Sequence, residues 1–573
     1  MVYKANSVSK GIGIGEVFLY KTFHPSVVES LIEPDTEEQA INWYEEIRIK
    51  AKAEIDLLKL KLSEDAEKAK IFTAHLDILD DPVMNGEIKD GIIRRHFNVD
   101  WAIFDTYEKY IKILSAAKDP VIRERAIDLK DVEMRLLRNC SGEREADIAC
   151  FEKPVIIAAH ELTPSDTVMM DPAKIVAILT ENGGYSSHSA IIARNFGIPA
   201  LSGFSDIEKI LDQPGPVVVD AMGGLLITDP SKEQLESYSK KQSNYLAEIE
   251  KAKMFEAAAA ITVDGIPIEV NLNIASADEL ELEGAQFTDG VGLFRTEFLF
   301  MGRSCLPSEE EQFEIYKKVL IRFGDRAVTL RTLDIGGDKK LECLNLPKED
   351  NPFLGNRALR LCFEHMDIFK TQLRAALRAS TYGNLRIMFP MVANIEDVRR
   401  AKTVLAEVRL DLDREKISYS KNIKIGIMIE IPSIALMADM VAQEVDFASI
   451  GSNDLIQYAI AVDRMNPAVS GYYQTYHPAV FRLISYVVHH FVIAGKQICV
   501  CGEMGGDCLS AMALIGMGMR QLSMSRSSVG KIKEMIGLLS TQQARLIAGK
   551  VVNCPTAAEA EELLKNELRE LGL

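Results

Sequence analysis

The sequence predicts a multidomain α/β chain, with an N-terminal α/β unit that carries an inserted helical stretch and a C-terminal (β/α)8 barrel behind it. Three observations carry this reading. The 573 residues exceed one domain at roughly 150 residues each. From 262 onward, eight apolar strand-like runs alternate with helical patterns, at 266–274, 290–298, 327–335, 385–391, 423–431, 447–453, 497–503 and 521–525. Eight strand–helix repeats over such a length are what a closed parallel barrel needs. Earlier, short apolar runs at 154–158, 175–179 and 217–220 alternate with helical patterns in the manner of a smaller α/β layer.

Taken in order, Gly11-Ile12-Gly13-Ile14-Gly15 before Val17-Phe18-Leu19-Tyr20 reads as a tight turn and a strand. A nucleotide loop would need a helix and an acidic partner at set distances, which do not follow. Residues 30 to 143 are helical and acid-rich, with amphipathic spacing over 37–60 and at Ile71, Phe72, Leu76 and Leu79, and with a break at Asp80-Asp81-Pro82. Such a surface is either simply solvated or a docking face for a basic partner. The α/β unit spans 144 to 228, and a polar helical segment, about 231 to 260, joins it to the barrel.

Composition excludes several classes. Hydrophobic residues are 47% and charged residues 26%, values of an ordinary folded protein rather than a disordered or fibrous one. A net charge of −18 provides no footprint for nucleic acid. The nine cysteines are scattered, and Cys499-Val500-Cys501 is neither a metal nor a redox spacing, which fits a reducing cytosol. The N-terminus lacks a signal-peptide apolar core and no run of about 18 apolar residues occurs, so a cytoplasmic location is expected.

Two places carry chemistry. Gly183-Gly184-Tyr185-Ser186-Ser187-His188, followed by an apolar helical run and then Gly197 and Pro199, describes a short helix with His188 in its first turn. Free N–H groups and the positive end of the helix dipole suit that position to a phosphate beside the imidazole, which makes His188 a candidate phosphorylatable nucleophile. A lone histidine is otherwise structural. The second place is the barrel mouth. Polar residues cluster at the carboxyl ends of the runs: Asn271, Asn273, Arg295, Arg331, Asp334, Glu430, Asn453, Asp454, Cys501 and Glu503. Unpaired in a core they would be costly. Arg295, Arg331, Arg357 and Arg464 supply forked donors for phosphate and carboxylate, and Glu430 and Asp454 are hard ligands for Mg²⁺. Such a set fits a small polyanion whose developing charge is shared between metal and guanidiniums. Cys501 is either a proton donor or a buried thiol.

The loop around His188 resembles the phosphohistidine loop of the enzymes that handle phosphoenolpyruvate. Further motifs select among them: Phe294-Arg295-Thr296-Glu297-Phe298-Leu299, Arg331-Thr332-Leu333-Asp334-Ile335-Gly336-Gly337-Asp338-Lys339, Asn351-Pro352-Phe353-Leu354-Gly355, Gly451-Ser452-Asn453-Asp454-Leu455-Ile456-Gln457-Tyr458 and Ala461-Val462-Asp463-Arg464. With Phe72-Thr73-Ala74-His75-Leu76 and the stretch 124–132, they resemble Enzyme I of the bacterial sugar phosphotransferase system along essentially the whole chain. Dikinases and synthases of the wider family need an ATP-grasp domain, for which the N-terminal stretch has no room.

The resemblance implies a swivelling α/β phosphohistidine domain (1–21 and 144–230), an inserted helical subdomain that docks the phosphocarrier HPr (22–143), a linker helix (231–260) and a TIM barrel that binds phosphoenolpyruvate and forms a homodimer (261–573). It implies that His188 becomes a tele-phosphohistidine, with Thr167 nearby. Arg295, Arg331, Arg357, Lys339, Asn453 and Arg464 would hold substrate, Glu430 and Asp454 Mg²⁺, and Cys501 would protonate the enolate to pyruvate. Glu67, Lys68 and His75 would lie on or near the carrier-docking side. The family usually has Arg and Thr where Tyr185 and Ser186 stand, an aromatic at Asn356 and often Thr at Ile431. The loss of the Arg bears on the environment of the phosphorylated His188 and on carrier affinity, and Ser186 keeps a capping hydroxyl. Asn356 and Ile431 bear on substrate fit without removing a charge the reaction needs. A phospho-responsive binding protein is the alternative of another class, but it would not need a proton donor.

Overall fold

A computed structural model describes residues 1–20, 27–33, 35–61, 73, 75–115, 120–141, 151, 153–160, 162, 170–181, 190, 193, 196–211, 215–301, 305–336, 344, 346–347 and 349–573. Two compact units divide the chain, Met1–Ala247 and Glu248–Leu573.

The first unit holds β1 (Val2–Lys4), β2 (Asn6–Ser9), β3 (Ile12–Tyr20), β4 (Val155–Ala159), β5 (Ile175–Thr180), β6 (Ala200–Ser202), β7 (Pro216–Asp220) and β8 (Leu225–Ile227) in one sheet of order β1-β8-β7-β3-β4-β5-β6-β2. β3 is its pivot, antiparallel to β7 and parallel to β4. Of the three glycines that precede Glu16, only Gly11 turns, at φ +139°. Gly13 lies within the strand, where a Cβ would stand 2.8 Å from both the Ala177 Cβ and the Val176 carbonyl. Close packing, not phosphate, requires it.

The helical stretch contains α1 (Glu37–Lys61), α2 (Pro82–Arg95), α3 (Val99–Ser115) and α4 (Pro120–Ser141). Buried Tyr44, Ile47, Ala51 and Ile55 follow the three-and-four spacing of one helix face and pack against Ile88, Ile92, Ile103, Val132 and Leu136. At the break expected from Asp80-Asp81-Pro82, the Asp81 carboxylate accepts from the amides of Val83 (2.8 Å) and Met84 (2.9 Å). It thereby caps α2, with Pro82 at the first position. The polar segment ahead of the barrel is one helix, α5 (Lys232–Phe255).

In the second unit, β9 (Glu269–Ile274), β10 (Gly290–Arg295), β11 (Ala327–Arg331), β12 (Asn384–Phe389), β13 (Lys424–Ile429), β14 (Phe447–Ile450), β15 (Gln497–Val500) and β16 (Gln521–Met524) form a closed barrel. Every adjacent pair is parallel, and β16 pairs with β9 to close it. The strands are buried along nearly their whole length, because helices cover the outside and side chains fill the interior. All eight expected runs are strands, but several stop short of the expected end: at Arg295, Arg331, Ile450 and Val500. Beyond those residues the chain stays buried while the ladder ends, as at Thr296–Leu299, which turns into a 3₁₀ helix. The apolar run thus extends into the loops that roof the barrel. Among the described residues no helix is long and apolar enough to cross a membrane.

Candidate active site

Because the strands are parallel, their carboxyl ends share one rim. Arg295 and Arg331, the last residues of β10 and β11, are register partners. Arg331 is buried; its guanidinium binds the buried Glu297 and reaches Asp334 Oδ2 at 2.9 Å. The buried amide of Gln372 ties the two strand ends together. It donates to Thr296 Oγ1 (3.0 Å), which donates to the Arg331 carbonyl (2.7 Å), and it accepts from the Leu333 amide (2.8 Å). Arg331 Nε is buried with no hydrogen-bond partner. Among the described residues Arg295 has no hydrogen-bond or ion-pair partner and is half-buried. Two cationic groups therefore keep unused donors at one edge of the rim.

Arg357 behaves differently. It is 1% exposed, and its five N–H donors have five acceptors: Asp334 at 3.0 and 3.2 Å, Asp454 at 2.9 and 3.4 Å, and Tyr458 Oη at 3.3 Å. Opposed carboxylates outweigh burial and hold its pKa well above the ordinary value. Expected on the substrate, Arg357 is seen here braced between two carboxylates. Gly336 makes room for it: φ is +113°, and a Cβ would lie 2.9 Å from the Arg357 Cα.

Glu430 follows β13 and is 1% exposed. Its Oε1 accepts from the Met391 amide at 2.6 Å, and Met391 adopts φ 54°, a left-handed conformation that costs a non-glycine residue and concentrates at functional sites. Gly451 admits the carboxylate, since a Cβ there would sit 2.8 Å from Glu430 Oε2. Burial, with Asp454 and Asp334 adding, pushes the Glu430 carboxyl up to about 7 against the pull of Arg357 and Arg331. Asp454 lies in the first turn of α6 (Ser452–Ala459). Burial works to raise it too, but Arg357 and Arg464 outweigh that and hold it below the usual range; Arg464 Nη2 stands 3.6 Å away. Asn453, beside it, accepts the Glu503 amide on Oδ1 at 3.0 Å.

Cys501 follows β15 with its amide on the Ile450 carbonyl (3.0 Å) and its own carbonyl held by Asn273 Nδ2 (2.9 Å). The thiol is 1% exposed, and burial pushes it up to about 11, so it carries its proton at neutral pH. Gly502 has no alternative, because a Cβ would fall 1.9 Å from Ser452 Oγ. Asn271, expected at the mouth, instead lines a small interior cavity with Glu269, Ser449 and Cys499; two residues back along a strand is one side-chain layer deeper.

His188, Thr167, Tyr185, Ser186, Lys339, Glu67 and Lys68 lie outside the described residues. Close by, Ala190, Ala193 and Phe196 are helical and Gly197 takes φ +66°, the stop expected for that helix. His75, expected on or near the docking side, is buried at 3% exposure with Nε2 3.5 Å from Asp128 Oδ1. No group of three or more metal-ligating side chains occurs among the described residues.

Residues 249–540 match the PEP-utilising enzyme, PEP-binding domain; 151–224 match the mobile domain and 4–125 the N-terminal domain of the same enzymes. Phosphoenolpyruvate-protein phosphotransferase of Geobacillus stearothermophilus is 42% identical over 564 residues, covering 98% of this chain and 97% of that protein. The Staphylococcus aureus protein of that name is 41% identical over 521 residues, 90% of this chain and 91% of its own. The chain belongs to the phosphoenolpyruvate-protein phosphotransferase family. It is an enzyme of that class, and its reaction is phosphoenolpyruvate-dependent phosphotransfer.

For a phosphotransferase, several residues of this rim were not predicted as site residues. Glu297, Gln372, Met391 and Tyr458 all orient the charged groups. Glu297 and Tyr458 lie inside the segments 294–299 and 451–458 that carry the resemblance, so their place was visible, though not their partners. Gln372 lies in the helix Met366–Ala379, and only an unexplained polar residue on a buried helix face could have flagged it.

Proposed function

We propose that the enzyme moves the phosphoryl group of phosphoenolpyruvate to His188 as a tele-phosphohistidine, releases pyruvate, and passes the group to a histidine of the phosphocarrier HPr in a bacterial sugar phosphotransferase system. One observation carries the reading: a closed barrel whose carboxyl rim gathers Arg295, Arg331 and Arg464, two buried carboxylates and a protonated thiol. Arg295 and Arg331 have donors to spare for a phosphate or carboxylate, and with Asn453, Arg464 and Lys339 they would fix substrate. Arg357, whose donors are all engaged, positions Asp454.

The donor set fits a divalent cation. Among the described residues Glu430 accepts one hydrogen bond, from Met391, which leaves an oxygen for a metal, and Mg²⁺ commonly takes only one or two protein carboxylates and completes its shell with water and substrate oxygens. Glu430 and Asp454 would hold Mg²⁺, which when bound supplies charge neutralisation at the phosphate and enolate oxygens. As the P–O bond breaks, the guanidiniums of Arg295, Arg331 and Arg464 stabilise the developing enolate. Cys501 then gives its Sγ proton to the enolate carbon.

The domain plan expected from the sequence belongs to this reading: a phosphohistidine domain of 1–21 and 144–230, carrier docking by 22–143, a linker helix of 231–260 and the barrel of 261–573. The nucleophile belongs to one unit and substrate to the other, so they must meet for the first transfer and part for the second. Exposed Leu436, Met440, Val492 and Ile493, on barrel helices that pack together, support a homodimer through the barrel. A cytoplasmic site of action belongs to the same reading, and the scattered cysteines fit such a reducing compartment. The test is incubation with phosphate-labelled phosphoenolpyruvate and Mg²⁺: an acid-labile label should appear on the chain and be absent from His188→Ala, and stable labelling of that variant would overturn the assignment.

A further inference from the structure

Each turnover leaves Cys501 as a thiolate, and the thiolate needs a proton back before the next enolate forms. Leu293, Met388, Met428 and Phe447 pack around it, and the charged groups that act on it are Arg331, Glu430 and Arg295, which the reading above commits to substrate and metal. A hydroxyl with no such role lies on the neighbouring strand. Ser449 of β14 is the register partner of Cys499 on β15, and its hydroxyl stands beside the thiols of both Cys499 and Cys501. It is 1% exposed, and no partner meets hydrogen-bond geometry with it. A buried hydroxyl in that condition is costly and calls for an explanation.

The same residue lines a cavity of about 20 Å³ shared with Cys499, Glu269, Arg386 and Gln521. That is room for one water, and the polar wall would hold it: Arg386 Nε is another buried donor without a partner. Glu269, the first residue of β9, is exposed to solvent and bonded to Gln521 Nε2 at 2.7 Å. Polar groups thus run from the reactive thiol through the barrel interior to its amino-terminal end, in a layer that small apolar side chains could have filled.

We propose that Ser449 is a positioning residue that returns a proton to Cys501 from a water in this cavity, resupplied from bulk past Glu269. The steps balance. The Sγ–H bond breaks as the enolate C–H bond forms, and the electron pair stays on sulfur. The thiolate then takes the Ser449 Oγ proton while Oγ takes one from the water, and solvent replaces that proton, so one bulk proton enters per pyruvate.

The inference rests on Cys501 being the proton donor, and the test separates the two claims. Pyruvate is followed through the first and later turnovers of the full chain with a histidine phosphocarrier as acceptor, in H₂O and in D₂O. Ser449→Ala should keep its first turnover within about twofold of wild type and slow later turnovers roughly tenfold, with a larger solvent isotope effect. Ser449→Thr and Ser449→Val have the same shape, so only the hydroxyl distinguishes them; Thr should restore later turnovers and Val should not. Later turnovers at the wild-type rate in Ser449→Ala, or equal rates for Thr and Val, would overturn the relay. Wild-type pyruvate formation by Cys501→Ala would instead overturn the donor assignment on which it stands.

Discussion

Arg357 donates to both oxygens of Asp454, at 2.9 and 3.4 Å, while the rest of the same guanidinium holds both oxygens of Asp334 at 3.0 and 3.2 Å. A single buried cation thereby fixes a carboxylate after β11 relative to one in the first turn of α6. Arginine is suited to this by its planar fork of five donors, and lysine is not.

Arg357→Lys should therefore keep the charge and lose the geometry. The expected result is a fall of about 10²-fold or more in phosphoenolpyruvate-dependent labelling. Arg357→Ala should in addition destabilise the barrel by about 3–5 kcal/mol, because two buried carboxylates lose the guanidinium that bridges them, keeping only Arg331 on Asp334 and the more distant Arg464 near Asp454. Labelling rate and urea denaturation of the two variants check both statements. A Lys variant with wild-type labelling would show that the brace does not matter.

A second expectation concerns pH. Glu430 is raised to about 7, chiefly by burial, and only its ionised form can ligate a metal. Above that pH the carboxylate is available at no cost. Below it a proton must leave as metal binds, so affinity should drop by about tenfold for each further pH unit. Titrating Mn²⁺ into the apoprotein between pH 5.5 and 8.5 should show this slope, and Glu430→Gln should weaken binding and flatten it. A flat wild-type profile would argue against Glu430 as a ligand.

Two glycines with equally little room should separate structure from function. A Cβ on Gly502 would meet Ser452 Oγ at 1.9 Å, and one on Gly516 would meet the Ala544 carbonyl oxygen at 1.9 Å. Each Gly→Ala change should cost about 1–3 kcal/mol as overpacking. Only Gly502→Ala should also depress labelling, because the displaced Ser452 begins the helix that carries Asn453 and Asp454. Thermal melts with parallel assays of the two variants decide it.

How far these features were legible in the sequence follows from what each depends on. The eight barrel strands were visible because fully buried parallel strands are continuous apolar runs. Their carboxyl ends were not, since Thr296, Ile335 and Ser452 are as buried beyond the strand ends as residues within a strand, and periodicity reports burial rather than hydrogen bonding. The charged rim residues stood out as polar groups in apolar runs, which is why Arg331, Glu430 and Cys501 were recognised. Their pairings were hidden, because Arg357 meets Asp454 across 97 positions and nothing local marks that contact. Asn271 shows the limit of reading a strand as one site, since a two-residue offset moved it from the rim to the interior.

The central claim is that the rim divides the labour, with the charged groups supporting phosphoryl transfer and Cys501 completing pyruvate. Single-turnover measurement of label on His188 and of pyruvate released, in Glu430→Gln and in Cys501→Ala, tests it most directly. The account predicts that Glu430→Gln loses both signals together, by about 10²-fold or more. Cys501→Ala should label His188 at close to the wild-type rate while pyruvate lags behind. If Cys501→Ala lost labelling as completely as Glu430→Gln, the thiol would be a structural part of the substrate pocket and the division of labour would be wrong.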